Sequence, residues 1–208
     1  MIIHRLISPY RKTNNYLIEI SVGKFIGIDI GDIEIDKIKR IVGDENGEIL
    51  AYFLTHSHPD HSIGLNKLWE MYKMPIYCSE NCGNELMNSR KNLSFYSEEI
   101  PTFEYNLPYI PIIDEGLIEI DNCLIRTFLV PGHTNGCAIF FLNSVLFTGD
   151  FLMLNYKTPL NFPNSNKEKY KDSVKKVINF DLKIETIHPG HGESFRSFNE
   201  ITHLNSLI

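Results

Sequence analysis

Ile49-Leu50-Ala51-Tyr52-Phe53-Leu54-Thr55-His56-Ser57-His58-Pro59-Asp60-His61 runs from six apolar residues straight into three histidines and a carboxylate. The apolar part reads as a short buried strand. No packing demand places imidazoles at its end. Imidazole and carboxylate suit zinc, iron or manganese as ligands. A chain with eight histidines that sets three of them between positions 56 and 61 therefore reads as a metal protein.

Outward from this stretch, Tyr16–Ile20 and Lys24–Asp29, joined across Ser21-Val22-Gly23, read as a β-hairpin. Asp32 is placed to cap a short helix carrying Ile33, Ile35, Ile38 and Ile41, with Gly43 as its stop. After His61, a helical period in Ile63, Leu65, Leu68, Trp69 and Tyr72 runs up to Pro75. A strand over 75–78 and a helix over 80–90, capped by Ser79, complete a β-α alternation through the first hundred residues. Residues 91–110 scatter Phe95, Tyr96, Phe103, Tyr105 and Tyr109 among prolines and carboxylates without period. They read equally as a packed connection or as a loop covering a substrate.

Strands return over 116–121, 124–130, 137–142 and 145–148, with turn residues between them. An Asn- and Pro-rich loop over 155–166 precedes an amphipathic helix over 167–180, whose lysines form a solvated face. Ile184–His188 is the last strand. Each half offers strands followed by helices, which predicts an α+β chain. Two mixed sheets packed face to face with helices outside, an αββα four-layer sandwich, are expected in a single domain spanning 1–208.

Composition excludes some classes. A formal net charge of −6 argues against a nucleic-acid partner. The N-terminus lacks the apolar core of a signal peptide, and no apolar run reaches membrane-spanning length, so a cytoplasmic chain without a membrane partner is expected. Cys78, Cys82, Cys123 and Cys137 lack zinc-finger spacing and read as buried, reduced thiols.

Three more segments pair the end of a β-rich run with glycine and a ligand-type residue: Val130-Pro-Gly-His133-Thr134, Phe147-Thr-Gly-Asp150 and His188-Pro-Gly-His191-Gly192. Glycine there lets the backbone turn sharply and approach an ion closely. His4 and His203 receive no chemical role. His188 reads as a strand-end residue more readily than as a helper of His191.

Together these motifs resemble the metallo-β-lactamase superfamily, whose signature is H-x-H-x-D-H followed by separate His, Asp and His motifs. His56, His58, Asp60, His61, His133, Asp150 and His191 match it in order. The Pro-Gly-His-Thr, Thr-Gly-Asp and Pro-Gly-His-Gly forms look most like the glyoxalase II branch. The resemblance implies the metallo-β-lactamase fold and two divalent metal ions, zinc first, with iron or manganese as alternatives. His56, His58 and His133 would hold one ion and Asp60, His61 and His191 the other, with Asp150 bridging. Asp29 and Thr134 would brace the ligand loops from behind.

The implied activity is hydrolysis of a small thioester, ester or lactone by a metal-activated hydroxide, with Asp60 doubling as a proton acceptor. The small-molecule substrate would meet Tyr96, Tyr105, Tyr156 and Phe162 as pocket walls. Only 17 residues follow His191, so the glutathione-binding extension of glyoxalase II is not expected. Two other classes remain. One is a persulfide dioxygenase with a single iron on His56, His133 and Asp150. The other is a metal-binding protein without catalysis, which the intact set of seven ligand positions disfavours.

Overall fold

The computed structural model describes residues 1–43 and 47–201. Its first sheet holds β1 (Ile2–Ile7), β2 (Asn14–Ser21), β3 (Lys24–Ile28), β4 (Glu48–Phe53), β5 (Ile76–Ser79) and β6 (Ile110–Ile112), in that spatial order. β1, β2 and β3 run antiparallel, while β3 through β6 run parallel. The parallel steps need crossovers. These are α1 (Ile35–Val42) before β4, and α2 (Pro59–Ser62) with α3 (Leu65–Tyr72) before β5. α4 (Glu80–Leu86) then leads towards β6.

The second sheet has spatial order β11-β10-β9-β8-β7. It comprises β7 (Gly116–Ile120), β8 (Cys123–Leu129), β9 (Ala138–Leu142), β10 (Val145–Gly149) and β11 (Thr186–Pro189). The antiparallel meander β7 to β10 is followed by α5 (Lys167–Ile178), which returns the chain so that β11 lies parallel to β10.

Side chains alternate across a strand, and that alternation builds three apolar layers. Ile18, Ile26 and Phe53 face Ile125, Phe140 and Phe147 between the sheets. Their neighbours Leu17, Phe25 and Tyr52 turn the other way and pack with Ile38, Leu65, Leu68 and Leu86 under the first helical layer. On the far side, Ile139, Leu146 and Ile187 pack under Tyr170, Val174 and Val177 of α5. Each such buried side chain contributes about 1.5–3 kcal/mol relative to exposure. The αββα order follows from these layers.

Some local expectations change. The helix expected from His61 is two helices, because Gly64 sits against the Ile30–Gly31 backbone, where a Cβ would come within 2.6 Å of Gly31 O. The helix expected to reach Arg90 stops at Leu86. The Asn88 side chain accepts from the Arg90 and Lys91 amides there and offers the backbone a competing turn. Two strands, β1 and β6, are additions to the expected set. β6 contains Pro111, which an edge strand tolerates because its missing N–H is not owed to a neighbour. All four cysteines are free, but Cys123 is only half-buried. His203 lies outside the described residues.

Candidate metal centre

β8, β10 and β11 share one direction, and their C-terminal ends bring His133, Asp150 and His191 to the edge where β4 delivers His56. Pro59 is the first residue of α2, a position where its missing N–H costs nothing. That single turn of helix swings Asp60 and His61 round beside His56 and His58.

All seven ligand-type residues converge. Ligand atoms of His56, His58 and His133 lie within 4.8 Å of one another, and so do those of His56, His61 and Asp150, and of Asp60, His61 and His191. His133 Nε2 is 3.0 Å from His58 Nδ1. His191 Nε2 is 3.1 Å from Asp60 Oδ2. Asp150 divides its oxygens: Oδ1 lies 3.2 Å from His61 Nε2 and 3.4 Å from His191 Nε2, while Oδ2 faces His133 Nε2 at 3.7 Å.

Around the ligands, hydrogen bonds fix which ring nitrogen is free. Asp29 Oδ2 accepts from His61 Nδ1 at 2.7 Å, and the Pro159 carbonyl accepts from His133 Nδ1 at 2.8 Å. The Thr55 hydroxyl donates to Asp29 Oδ2 at 2.7 Å, so its oxygen is left to accept from His56 Nδ1 at 3.0 Å. In His56 and His133 the outward nitrogen therefore carries the proton and Nε2 presents a lone pair inward, as a metal ligand requires. In His61 the bond to Asp29 holds the Nδ1 proton and leaves Nε2 as the nitrogen that gives up its proton to a metal. Among the described residues, the buried side-chain atoms without a hydrogen-bond partner are His56 Nε2, His61 Nε2 and Asp150 Oδ1. Unpaired buried polar atoms are costly. Here they point at one another's shared centre, and the donor set fits a divalent ion.

Electrostatics split the site in two. Burial, aided by mutual repulsion, pushes His56 well below the ordinary histidine range and His58 to about 3. His133 is lowered by burial too. These three imidazoles are neutral and ready to ligate. Burial also works against charge on His61 and His191, but the surrounding carboxylates outweigh it, raising His61 well above its ordinary value and His191 to about 9. Burial would raise Asp60 and Asp150, yet the facing histidines hold both below the carboxylate range. The carboxylate-rich half thus attracts a cation, and any metal ion entering it must displace protons.

Close packing needs two glycines. A Cβ on Gly190 would lie 2.3 Å from Asp150 Oδ1, and Gly149, at φ +50°, would press one to 2.4 Å from Thr55 Oγ1. A cavity of about 530 Å³ opens over the ligands, floored by His58, Asp60, Asp150 and His191 and walled by Tyr10, Leu93, Tyr96, Pro159 and Phe162. Residues 91–110 thus supply part of its wall through Leu93, Tyr96 and Ser97.

Tyr96 and Phe162 lie where pocket walls are expected. Tyr105 does not. Its ring is fully buried in the core against the first sheet's helices, and its hydroxyl donates to the Pro108 carbonyl at 3.1 Å. Tyr156 stands half-exposed outside the cavity lining, with its ring close to Gly192. Thr134 shapes its own turn: its hydroxyl accepts from the Gly136 amide at 3.0 Å and meets Cys137 Sγ at 3.4 Å. His188 stacks on Phe147 and bonds Ser194 Oγ at 2.8 Å, clear of the ligands. Two supporting residues escape a reading of the sequence. Thr55 signals its role only by its place between strand and His56. Thr13, which donates to Asp60 Oδ2 at 2.8 Å across 47 positions, carries no local signal.

No helix of the described residues is long and apolar enough to cross a membrane. A protein named "Probable polyketide biosynthesis zinc-dependent hydrolase PksB", from Bacillus subtilis (strain 168), is 25% identical over 191 residues, covering 91% of this chain and 78% of its own length. Protein artemis of Danio rerio is 34% identical over 130 residues. That match takes in 57% of this chain but only 19% of artemis, so the chain spans about a fifth of that relative. Among solved structures, the BLEG-1 B3 metallo-beta-lactamase superposes with a TM-score of 0.88 at 20% identity, covering 99% of each chain, which shows the shared fold. The model of the metallo-beta-lactamase superfamily matches residues 12–191, the span that holds all seven converging side chains, and the chain belongs to that superfamily.

Proposed function

We propose that this protein is a dinuclear, zinc-dependent hydrolase of the glyoxalase II-like branch, cleaving a small thioester, ester or lactone. The observation that carries the reading is the division of Asp150: one oxygen faces His61 and His191, the other faces His133. A carboxylate so placed suits a bridge between two cations. His56, His58 and His133 would hold one ion, and Asp60, His61 and His191 the other. Such a pair of ions, when bound, lowers the pKa of a coordinated water towards neutrality and polarises the substrate's carbonyl.

The chain's own residues do the rest. Asp29, through His61 Nδ1 and the Thr55 hydroxyl, holds two imidazoles in their ligating tautomers. Thr13 donates to Asp60 Oδ2, which keeps that carboxylate turned to the cavity floor, where it can take the proton of an attacking water. The mostly apolar walls exclude bulk water and seat an acyl group. PksB, named as a zinc-dependent hydrolase, supports both the metal and the reaction class.

The test is a panel of thioesters, esters and lactones offered to protein stripped of metal and then reloaded with zinc. Cleavage that appears only on reloading is expected. A protein that is purified with one iron per chain, consumes oxygen with a persulfide and leaves the whole panel intact would instead be the dioxygenase.

A further inference from the structure

Among the described residues that line the cavity over the ligand cluster, Arg11 is the one arginine or lysine, and it stands beside Tyr10, Leu93, Tyr96 and Phe162. Arg11 sits in the short connection between β1 and β2. Arg11 (φ +54°) and Lys12 (φ +57°) are consecutive non-glycine residues in the left-handed region. They are the central pair of a hairpin turn closed by Thr13 N donating to Tyr10 O, the form that also joins β7 to β8 at Asp121-Asn122 and β9 to β10 at Asn143-Ser144. Here the turn sets the Arg11 side chain on the cavity wall.

The connection is held on both sides. Ser8 N donates to Thr13 O at 2.9 Å and closes the loop at its base. Across the mouth, the buried Tyr10 hydroxyl meets Ser97 Oγ at 3.1 Å, and Arg11 Nη2 lies 3.3 Å from Glu99 Oε1. On the inner side Thr13 bonds Asp60, so the loop is tied directly to the reactive floor. The Arg11–Glu99 pair is itself exposed, with more than half of each side chain open to solvent, and such pairs hold weakly. Glu99 engages one nitrogen and the Tyr10 side chain lies against the guanidinium, whose centre is 5.4 Å from that ring, so part of its set of five donors is left for a ligand.

We propose that Arg11 is a specificity-determining residue that binds an oxyanion, carboxylate or phosphate, carried by the substrate at the end remote from the scissile bond. A planar guanidinium pairs with either group through two parallel hydrogen bonds. The apolar side chains that line the same cavity, Leu93, Tyr96 and Phe162 among them, would seat the uncharged part of the molecule. The substrate class is thus an anionic acyl ester or thioester rather than a neutral one. This rests on the hydrolase reading for the reaction but not for the binding.

Two matched pairs of thioesters test the idea in zinc-loaded protein. Glutaryl against butyryl N-acetylcysteamine places a carboxylate on the acyl side. S-butyryl pantetheine with and without its terminal phosphate places the anion on the thiol side. The wild type should favour the anionic member of at least one pair tenfold or more in kcat/KM, mainly through KM, and the favoured pair identifies the source of the anion. Arg11→Gln should bring that ratio near one, and Arg11→Lys should keep part of it. Glu99→Gln, which removes the competing carboxylate, should raise it. Calorimetry with the non-hydrolysable thioethers of the same pairs gives a readout independent of turnover, with the same tenfold difference in Kd and its loss in Arg11→Gln. No cleavage of any thioester with that binding difference intact would sink the hydrolase reading and leave Arg11's role standing. Cleavage with an anionic preference unchanged in Arg11→Gln, or with no anionic preference in the wild type, would overturn the proposal alone.

Discussion

Asp29 Oδ2 accepts a hydrogen bond from His61 Nδ1 at 2.7 Å, with both side chains sealed from solvent. The same carboxylate takes the Thr55 amide at 2.8 Å on Oδ1 and the Thr55 hydroxyl at 2.7 Å on Oδ2. One aspartate therefore orients His61 directly and His56 through Thr55. It does so from a left-handed backbone position, φ +58°, which Asn also tolerates. Asp29→Asn should keep the fold and weaken zinc binding by roughly 10- to 100-fold, the usual cost of losing a carboxylate behind a ligating histidine. A competitive chelator titration reads this directly. An affinity within twofold of the wild type would mean that the tautomers are set elsewhere.

Glu85 lies beneath the histidine loop, buried, with the Ser57 hydroxyl donating to Oε2 at 2.6 Å. Burial raises its carboxyl from 4.5 to about 7, and the Ser57 bond offsets only part of that. Above the ordinary value the unfolded chain releases this proton, whereas the folded chain retains it until about pH 7. The folded state binds more protons in that window, so stability falls as pH rises from 4.5 to 7 and stays lowered above it. The loss is on the order of 3 kcal/mol at most. Glu85→Gln keeps an acceptor for Ser57 and removes the titration. Denaturant unfolding of the two proteins should therefore diverge between pH 5 and pH 8, roughly the window of the shift, with the variant the more stable at the alkaline end. Parallel curves would show that Glu85 is ionised throughout.

Gly190 has no room for a side chain, since its Cβ would meet Asp150 Oδ1 at 2.3 Å and His61 Cε1 at 2.6 Å. Gly190→Ala should displace both ligands, lower bound zinc and destabilise the fold by about 1–3 kcal/mol, as overpacking does. Gly116, where a Cβ meets nothing within 4 Å, is the control. Gly116→Ala should leave metal content unaltered, and an equal metal loss in both variants would rule out crowding at the ligands as the cause.

Much of the centre is legible in the sequence because metal ligation dictates residue types. His56 to His61, His133, Asp150 and His191 each stand at a strand end with no packing reason to be there, and the strands deliver them to one edge. The supporting groups leave weaker traces. Thr55 touches Asp29 across 26 positions and Thr13 touches Asp60 across 47, contacts that a hydroxyl makes without any period or motif. Tyr105 misleads because an aromatic among prolines and carboxylates looks like a pocket wall. The backbone bond from its amide to Leu86 O instead turns it into the core. β6 is hidden for the same reason, since Pro111 masks an edge strand whose partner, β5, lies far upstream.

The central claim is that Asp150 bridges two ions, and metal counting tests it most directly. Protein incubated with excess zinc, desalted and analysed by elemental mass spectrometry should hold two zinc ions per chain. Asp150→Asn should hold fewer under the same treatment, with circular dichroism unaltered. One zinc per chain in the wild type, or an undiminished count in Asp150→Asn, would contradict a bridged pair.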